Sequence, residues 1–315
     1  MNYTLCMRFD NLRKFLPDEL NISTKNDINS LGNIKNYCSN GESGGTGCKT
    51  NLDKINGACL WLFDQLLVKN KKNIDMAEYI IIWLSYMLNL KKENEITKLN
   101  DFYSKYIENN KHYTNCNNDR GDCSNLLKNN TGYTNYKEII DKKKELLSIN
   151  SGDMSKFYDA FKSLCNMYTE LVAGNSKCEK CLENAKKFVK TYDELNKNPN
   201  ITKDSPYYQV LSTLSNDYHN FKNYCNDNSV DCNDIPSLSP INTTKNSIQS
   251  SAHNGQSFEK ISEVTSSSSS ITNKLIPVLS IIIAMPIFLG IFYKYSLFGF
   301  RKRFQKQKLR ENIKK

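Results

Sequence analysis

Two cysteines with two residues between them have the spacing best suited to redox or metal chemistry in this sequence. Cys178 and Cys181 form the motif Cys-Glu-Lys-Cys, which elsewhere serves as a thiol–disulfide pair or as half of a zinc site. Zinc would need a second pair of ligands, and a redox pair would need a thioredoxin-like βαβ setting. The sequence has no βαβ pattern, and its histidines are scattered: His112, His219 and His253. We therefore predict structural half-cystines near helix ends, and a thiol oxidoreductase is the enzymatic alternative.

A glycine-rich segment, GESGGTGCKT at Gly41 to Thr50, could bind phosphate if it were a P-loop. A working P-loop places its lysine directly after the last glycine and follows a strand that aims the backbone amides at the phosphate. Here Cys48 separates Gly47 from Lys49, and the sequence predicts no preceding strand. The segment is therefore better interpreted as a flexible loop pinned by a disulfide.

The remaining polar residues form no pattern that predicts catalysis. The sequence contains no recognisable nucleophile and base arrangement, no paired-carboxylate motif and no set of metal ligands. We therefore expect a protein that is not an enzyme and that uses neither a cofactor nor a metal.

The positive charge of the chain lies at one end. Residues 294–315 contain nine Lys and Arg and one acid, Glu311, which leaves 34 bases and 32 acids in the first 293 residues. Steering of nucleic acid needs basic residues clustered on the binding face. A net charge of +2 before residue 294 therefore argues against a nucleic-acid partner.

Cysteine occurs only in the first 232 residues, which indicates an oxidising compartment in which disulfides persist. The odd number leaves at least one cysteine free or paired with another chain. Two local disulfides, Cys116 with Cys123 and Cys225 with Cys232, are plausible from spacing, but the overall connectivity stays open. The candidate half-cystines are Cys6, Cys38, Cys48, Cys59, Cys116, Cys123, Cys165, Cys178, Cys181, Cys225 and Cys232.

An uncharged apolar segment near the C-terminus predicts one transmembrane helix. Leu275 to Tyr293 contains nineteen residues without a charge, and at 1.5 Å per residue it spans roughly 28 Å, close to the thickness of about 30 Å of a bilayer core. Pro286 interrupts the segment, but membrane helices tolerate proline. Since Met1 to Leu16 has no signal-peptide core, we expect this helix to direct membrane targeting.

Basic residues on one flank of this segment predict its orientation, because positive charge is retained on the cytoplasmic side. We expect the tail to face the cytosol and the cysteine-bearing domain to face outside, with the lipid bilayer as a partner. A tail-anchored protein would have the reverse orientation, which the cysteines and the basic tail both oppose. The flanking residues singled out are Lys294, Arg301, Lys302 and Arg303.

The region before the membrane segment is predicted to be a mainly α, disulfide-containing helical bundle on a stalk. Apolar residues recur with helical period over Leu52 to Leu67, Tyr136 to Leu147, Phe157 to Leu171, Leu182 to Leu195 and Val210 to Phe221. Ala77 to Leu90 is apolar nearly all round and predicts the central buried helix. Long loops are expected at Asn33 to Thr50 and Asn109 to Tyr133.

The predicted organisation has four parts, set by shifts in composition. Ser, Thr, Asn and Pro dominate between Asn233 and Lys274, so that stretch buries too little apolar surface to fold and is expected to be a flexible stalk. The parts are the ectodomain 1–232, the stalk 233–274, the transmembrane helix 275–293 and the cytoplasmic tail 294–315.

Six stretches of the sequence resemble the PIR (Plasmodium interspersed repeat) multigene family, in the YIR, BIR and CIR forms of rodent malaria parasites. The stretches are Cys6 with FLPDEL at Phe15 to Leu20, Cys59 to Leu66, Glu78 to Asn94, Lys203 to Cys225, Asp231 to Pro240 and Lys294 to Glu311. They run from one end of the chain to the other.

This resemblance implies a membrane-anchored variant surface antigen, exported to the infected red cell, with its helical domain displayed to the host. It also implies roles in antigenic variation and immune evasion, with host cell-surface or immune proteins as the expected partners. The competing hypothesis is a trafficking or structural adapter of the infected cell that never reaches a host-facing surface.

Overall fold

The computed structural model describes residues 1–38, 47–69, 75–91, 96, 98–172, 180–199, 201–227 and 230–243. All of them belong to one compact unit, Met1–Ile248; the second unit, Gln249–Lys315, lies outside the described residues. The predicted transmembrane segment, Leu275 to Tyr293, and the basic residues Lys294, Arg301, Lys302 and Arg303 therefore lie outside them as well. Within the described part, no helix combines the length and the apolar character needed to cross a bilayer.

The described residues are mainly helical, as the sequence predicts. The α-helices are α1 Tyr3–Arg13, α2 Ile34–Tyr37, α3 Asn51–Phe63, α4 Met76–Lys91, α5 Leu99–Phe102, α6 Lys111–Thr114, α7 Ser124–Thr131, α8 Tyr136–Lys142, α9 Ser151–Val172, α10 Cys181–Leu195 and α11 Pro206–Asp227. Short 3-10 helices occupy Ile28–Ser30 and Lys144–Ser148, and π-helical turns occupy Asp64–Val68 and Tyr103–Ile107. The strands β1 Asn117–Asn118 and β2 Gly121–Asp122 form an antiparallel hairpin.

The centre of the fold is a contact between α1, α4 and α9. Their aromatic rings interlock: Phe9 lies 4.8 Å from Phe161, and Tyr79 stacks on Phe161 at 4.6 Å between ring centroids. Trp83, on α4, completes the group at 6.5 Å from Phe9. Because α4 is apolar on nearly every side and is buried from Met76 through Ser85, it is the central helix that its sequence predicts.

Helix ends are fixed by side chains that satisfy unpaired backbone amides. Thr50 and Asp53 form a reciprocal capping box at the start of α3, which stabilises a helix by about 1 kcal/mol. Pro206 is the first residue of α11, where its missing amide proton costs nothing. Both signals are readable in the sequence, and both helices begin where those signals are found.

The two segments predicted as long loops contain regular structure, which corrects that expectation. Asn33 to Thr50 includes α2, and Asn109 to Tyr133 includes α6, the β1–β2 hairpin and α7. Asparagine and glycine favour turns, and here they end short elements rather than extend an irregular loop. Gly132, for example, adopts a left-handed conformation with φ of 86° directly after α7.

The segment that follows α11 packs on the domain as far as Asn242, within the stretch that was predicted to be a stalk. Ile235 is buried, and the Tyr218 hydroxyl donates to the Pro236 carbonyl at 2.7 Å. Asn196 binds the segment twice, donating to the Pro240 carbonyl and accepting from the Asn242 amide, both at 2.8 Å. The composition of 233–242 is that of a linker, but single apolar residues dock it on the helices.

Gly57, in the middle of α3, leaves room for a neighbouring disulfide. A Cβ at this position would lie 2.8 Å from Cys38 Sγ and 3.0 Å from Ile34 Cγ2. We expect Gly57→Ala to lower the free energy of unfolding by about 2 kcal/mol, because overpacking a tight core forces its neighbours to move. Urea unfolding checks this value.

The matched control is Gly152→Ala in the first turn of α9. A Cβ there would meet only the Asn150 side-chain oxygen, at 3.3 Å, and alanine favours the helix. If the two substitutions changed stability equally, the close approach at Gly57 would have no energetic consequence.

Candidate functional site

Four disulfides hold the described helices and loops. Cys6–Cys165 joins α1 to α9 across 159 positions of sequence. The other three close short segments: Cys38–Cys48, Cys116–Cys123 and Cys225–Cys232, with separations of 10, 7 and 7 positions. The two local pairs suggested by spacing are thus present, and Cys6–Cys165 is a pairing that spacing could not indicate.

Only one cysteine of the Cys178–Cys181 motif is among the described residues. Cys178 lies outside them, whereas Cys181 is disulfide-bonded, begins α10 and is only 1% exposed. Thiol–disulfide exchange needs an accessible sulfur for the attacking thiolate. The burial of Cys181 is therefore more typical of a structural half-cystine than of a redox catalyst.

Cys59 corrects the expectation that it belongs to a disulfide. It is a free thiol with no exposed surface, on the buried face of α3. Burial raises its pKa to about 12, although a hydrogen bond with Tyr113 works in the opposite direction. A thiol that is neutral and shielded from solvent is a poor nucleophile.

Alkylation tests this assignment directly. We expect Cys59 to resist a maleimide in the native protein and to react fully after denaturation without reductant. The reason is that both its thiolate fraction and its access to solvent are negligible in the folded chain. Peptide mapping locates the label. Rapid labelling of Cys59 in the native protein would contradict this burial.

Two disulfides border α3, and we call the surface that they hold the α3 loop face: the Cys38–Cys48 disulfide and the hairpin between Cys116 and Cys123. The Cys38–Cys48 disulfide lies against α3 at Gly57. The hairpin is tied to the turn that follows α3 by Asn118, which donates to the Asp64 carboxylate at 2.9 Å. The disulfide and the hairpin therefore share one helix as their support.

The hairpin has a rigid base and an exposed tip. Cys116 and Cys123 are buried, whereas Asp119, Arg120 and Gly121 are exposed. Cys116 Sγ lies 3.7 Å from the Tyr136 hydroxyl, and the Tyr136 ring stacks on Phe63 of α3. The covalent base and its packing fix the hairpin, while the side chains at its tip are left to solvent.

Asp64 is the buried charge beneath this face. Its carboxylate has no exposed surface and pairs with the Lys69 ammonium at 2.7 Å. Burial and the Asp64 charge raise the pKa of Tyr37 and of Tyr136 above the usual value for tyrosine. Both tyrosines therefore stay neutral at physiological pH, which suits a packing role.

A second buried carboxylate, Asp18, links three segments of the fold. Its oxygens accept from Arg13 Nε at 2.9 Å, from the Tyr158 hydroxyl at 2.6 Å and from Lys162 Nζ at 3.1 Å. Burial opposes ionisation of Asp18, but Arg13, Tyr158 and Lys162 outweigh it and lower the pKa of this carboxyl. This group was not predicted from the sequence, although an acid within FLPDEL, Asp18, is a visible signal.

No catalytic arrangement emerges from the part of the chain that the structure covers. Across those residues, no three His, Cys, Asp or Glu side chains are grouped to hold a metal ion. Most of the glycine segment lies outside the described residues, and Thr50, at its C-terminal end, caps α3. Phosphate binding would require the backbone amides before α3 to point at a ligand, whereas Thr50 here serves the helix.

The fold and its loop face define a mainly helical domain held by disulfides, with an exposed hairpin tip closed at its base. Comparison with known families identifies it further. A family model described as Plasmodium variant antigen protein Cir/Yir/Bir matches residues 6–294, so the chain belongs to this family. The resemblance seen in the sequence is confirmed.

A solved structure supports the same assignment. The chain is similar to a structure titled "Structure of a Plasmodium PIR protein ectodomain", with 33% sequence identity and a TM-score of 0.57. The similarity covers 77% of this chain and 98% of that chain. Among curated proteins, no sequence matches this one.

Proposed function

We propose that this chain is a membrane-anchored variant surface antigen whose helical domain is displayed to the host and interacts through its loops. The proposal takes its starting point from membership in the Cir/Yir/Bir family. One structural observation carries it further: an exposed hairpin tip with a covalently closed base is mounted on a buried helical scaffold, and a second disulfide, Cys38–Cys48, lies against the same helix.

This architecture suits a surface that varies. Substitutions at exposed positions away from caps and networks usually change stability by less than about 0.5 kcal/mol. The hairpin tip at Asp119 and Arg120 is exposed, and the Cys116–Cys123 disulfide holds its base whatever the tip sequence is. Sequence change can therefore accumulate at the tip without loss of the fold.

The disulfides support the proposed orientation. Four described disulfides, one of which joins α1 to α9, would be reduced in a cytosolic environment. The basic residues after Tyr293 favour a cytosolic tail. In the proposed arrangement, the domain lies outside, the apolar segment 275–293 crosses the bilayer, and the tail faces the cytosol of the infected cell.

Two epitope tags test this arrangement. One is inserted between Asp119 and Arg120 at the exposed hairpin tip, and the other follows Lys315. In intact infected cells we expect antibody to stain the hairpin tag alone, and added protease to remove that tag while the tail tag survives on a membrane-bound fragment. After permeabilisation, both tags should stain.

The adapter hypothesis gives the opposite result. If both tags were protected until permeabilisation, the domain would not be displayed and the adapter hypothesis would stand. The control is a tagged chain with the unfolding midpoint of the parent, which ensures that protease resistance reflects location rather than misfolding.

A further inference from the structure

A cleft lies beside the second π-helical turn, Tyr103–Ile107. It encloses about 430 Å³ and is lined by Lys105, Tyr106, Asn109, Asn110 and Lys111. This volume lies within the range of about 300–1,000 Å³ typical of ligand sites. Three of its residues, Lys105, Tyr106 and Asn109, belong to the π turn or follow it closely, and π turns are frequent at functional sites.

The cleft carries two exposed lysines, Lys105 and Lys111. Neither lies within ion-pair distance of a carboxylate in the described part of the chain. Other exposed lysines there, such as Lys186 and Lys190, are unpaired as well, so what distinguishes Lys105 and Lys111 is that they border one cleft. The Lys105 ammonium lies 5.8 Å from the centroid of the Tyr106 ring, so one cation of the cleft also contacts its aromatic ring.

An aromatic ring and two amides complete the lining. Tyr106 is half-buried, and its ring stacks on Phe102 with 4.8 Å between centroids and 14° between planes. Phe102 has no exposed surface, so the stacked Tyr106 ring has a rigid backing. The Asn109 amide can hydrogen-bond to hydroxyls, and so can the NH2 group of Asn110, whose side-chain oxygen accepts from the His112 amide at 2.9 Å.

We propose that this cleft binds an anionic saccharide, a sugar that carries sulfate or carboxylate groups. The lysines would pair with the acidic groups through charge-assisted hydrogen bonds, the amides would bind the ring hydroxyls, and Tyr106 would pack against the sugar. The proposal deepens the proposed function by naming a class of host-surface partner, and it rests on the domain being displayed.

The shape of the site favours a saccharide over a membrane or a nucleic acid. Anionic lipid surfaces and phosphate backbones are bound by extended basic patches. Here the cations border a concave cleft, and the region before residue 294 has a net charge of only +2. A short ligand with a few charges and many hydroxyls fits this lining better.

Binding of the purified full chain in detergent micelles tests the proposal. The probes are a heparin octasaccharide for sulfate, an oligosialic acid for carboxylate, a neutral dextran oligomer and phosphatidylserine vesicles. We expect at least one anionic saccharide to bind, more weakly as salt rises, and dextran not to bind. Which of the two saccharides binds identifies the acidic group.

Two double variants locate the site. Lys105→Gln with Lys111→Gln should weaken the binding of the saccharide by roughly tenfold or more, which corresponds to losing one or two charge-assisted contacts. The matched control, Lys186→Gln with Lys190→Gln, removes the same charge from exposed positions on α10. It should change binding by less than about twofold.

Failure of both saccharides to bind, or equal weakening in the two variants, would overturn the proposal. So would vesicle binding that depended on Lys105 and Lys111 without any binding of saccharide. These results concern the purified chain, so they leave the display proposal standing, which is judged by the tagged chains in cells.

Discussion

Replacing Cys6 and Cys165 together by alanine should lower the free energy of unfolding by about 5 kcal/mol, the largest effect expected for any disulfide described here. In the chain-entropy model, the stabilisation grows with the logarithm of the loop that a disulfide closes. This bond spans 159 positions and joins α1 to α9 at the core. A loss of this size is comparable to the whole stability of many domains, about 5–15 kcal/mol.

The control for this prediction is a second disulfide in the same chain. Cys225→Ala with Cys232→Ala opens a loop of only 7 positions, for which the same model gives about 2.5 kcal/mol. Urea unfolding, followed by the fluorescence of the buried residues Trp61 and Trp83, measures both losses. If the two losses were equal, loop length would not determine the stabilisation.

The second large effect is expected at Asp18. Replacing Asp18 by asparagine removes the charge that pairs with Arg13 and Lys162, and among the described residues it leaves Asp10 as the carboxylate partner of Arg13 and Glu19 as that of Lys162. Breaking a buried ion pair from one side costs about 3–5 kcal/mol. The Arg13 and Lys162 side chains are 15% and 22% exposed. We therefore expect Asp18→Asn to lower the free energy of unfolding by about 3 kcal/mol, the low end of that range, as measured by urea unfolding at pH 7.

The difference in stability between the wild type and Asp18→Asn depends on pH because the pKa of Asp18 is lowered in the folded protein. In the unfolded chain the carboxyl titrates near its ordinary pKa of 3.8, and in the folded protein its pKa is lower. The unfolded state therefore binds the proton first, so the stabilisation is fully present above pH 3.8 and is lost as the pH falls through the folded value. The difference in the free energy of unfolding between the wild type and Asp18→Asn should therefore become smaller as the pH falls below 3.8.

A surface carboxylate provides the comparison for Asp18. Asp101→Asn removes an exposed acid that has no ion pair in the described part of the chain, and its unfolding midpoint should match the wild type at every pH. A loss at Asp101 equal to that at Asp18 would indicate a general charge effect rather than the buried network.

The helices were the part of this fold that sequence could predict. The stripes that became α3, α8, α9, α10 and α11 follow helical period because each helix buries one face. The apolar run of α4 marked the central helix for the same reason. Neither π turn was predicted. The stripe from Leu52 to Leu67 was interpreted as one α-helix, whereas α3 ends at Phe63 and the chain continues as the π turn Asp64–Val68.

The candidate sites were harder to predict, because they depend on contacts between distant residues. Cys6 and Cys165 meet only after α1 packs on α9, and nothing near either residue indicates its partner. Cys59 was counted among the candidate half-cystines, yet α3 directs it into the core. No element was predicted for the turn that carries Lys105, and Lys111 lies in the segment Asn109 to Tyr133 that was expected to be a loop.

The span of the Cys6–Cys165 bond also has a consequence for how the protein is made. Cys6 leaves the ribosome first and must stay unpaired until its partner has been synthesised, while Cys38, Cys48, Cys59, Cys116 and Cys123 emerge between them. The two nearby pairs can close as soon as they appear, which removes four of these competitors. Cys59 is then the one thiol among them left to capture Cys6 wrongly, so rapid formation of the α3 core protects the order of oxidation.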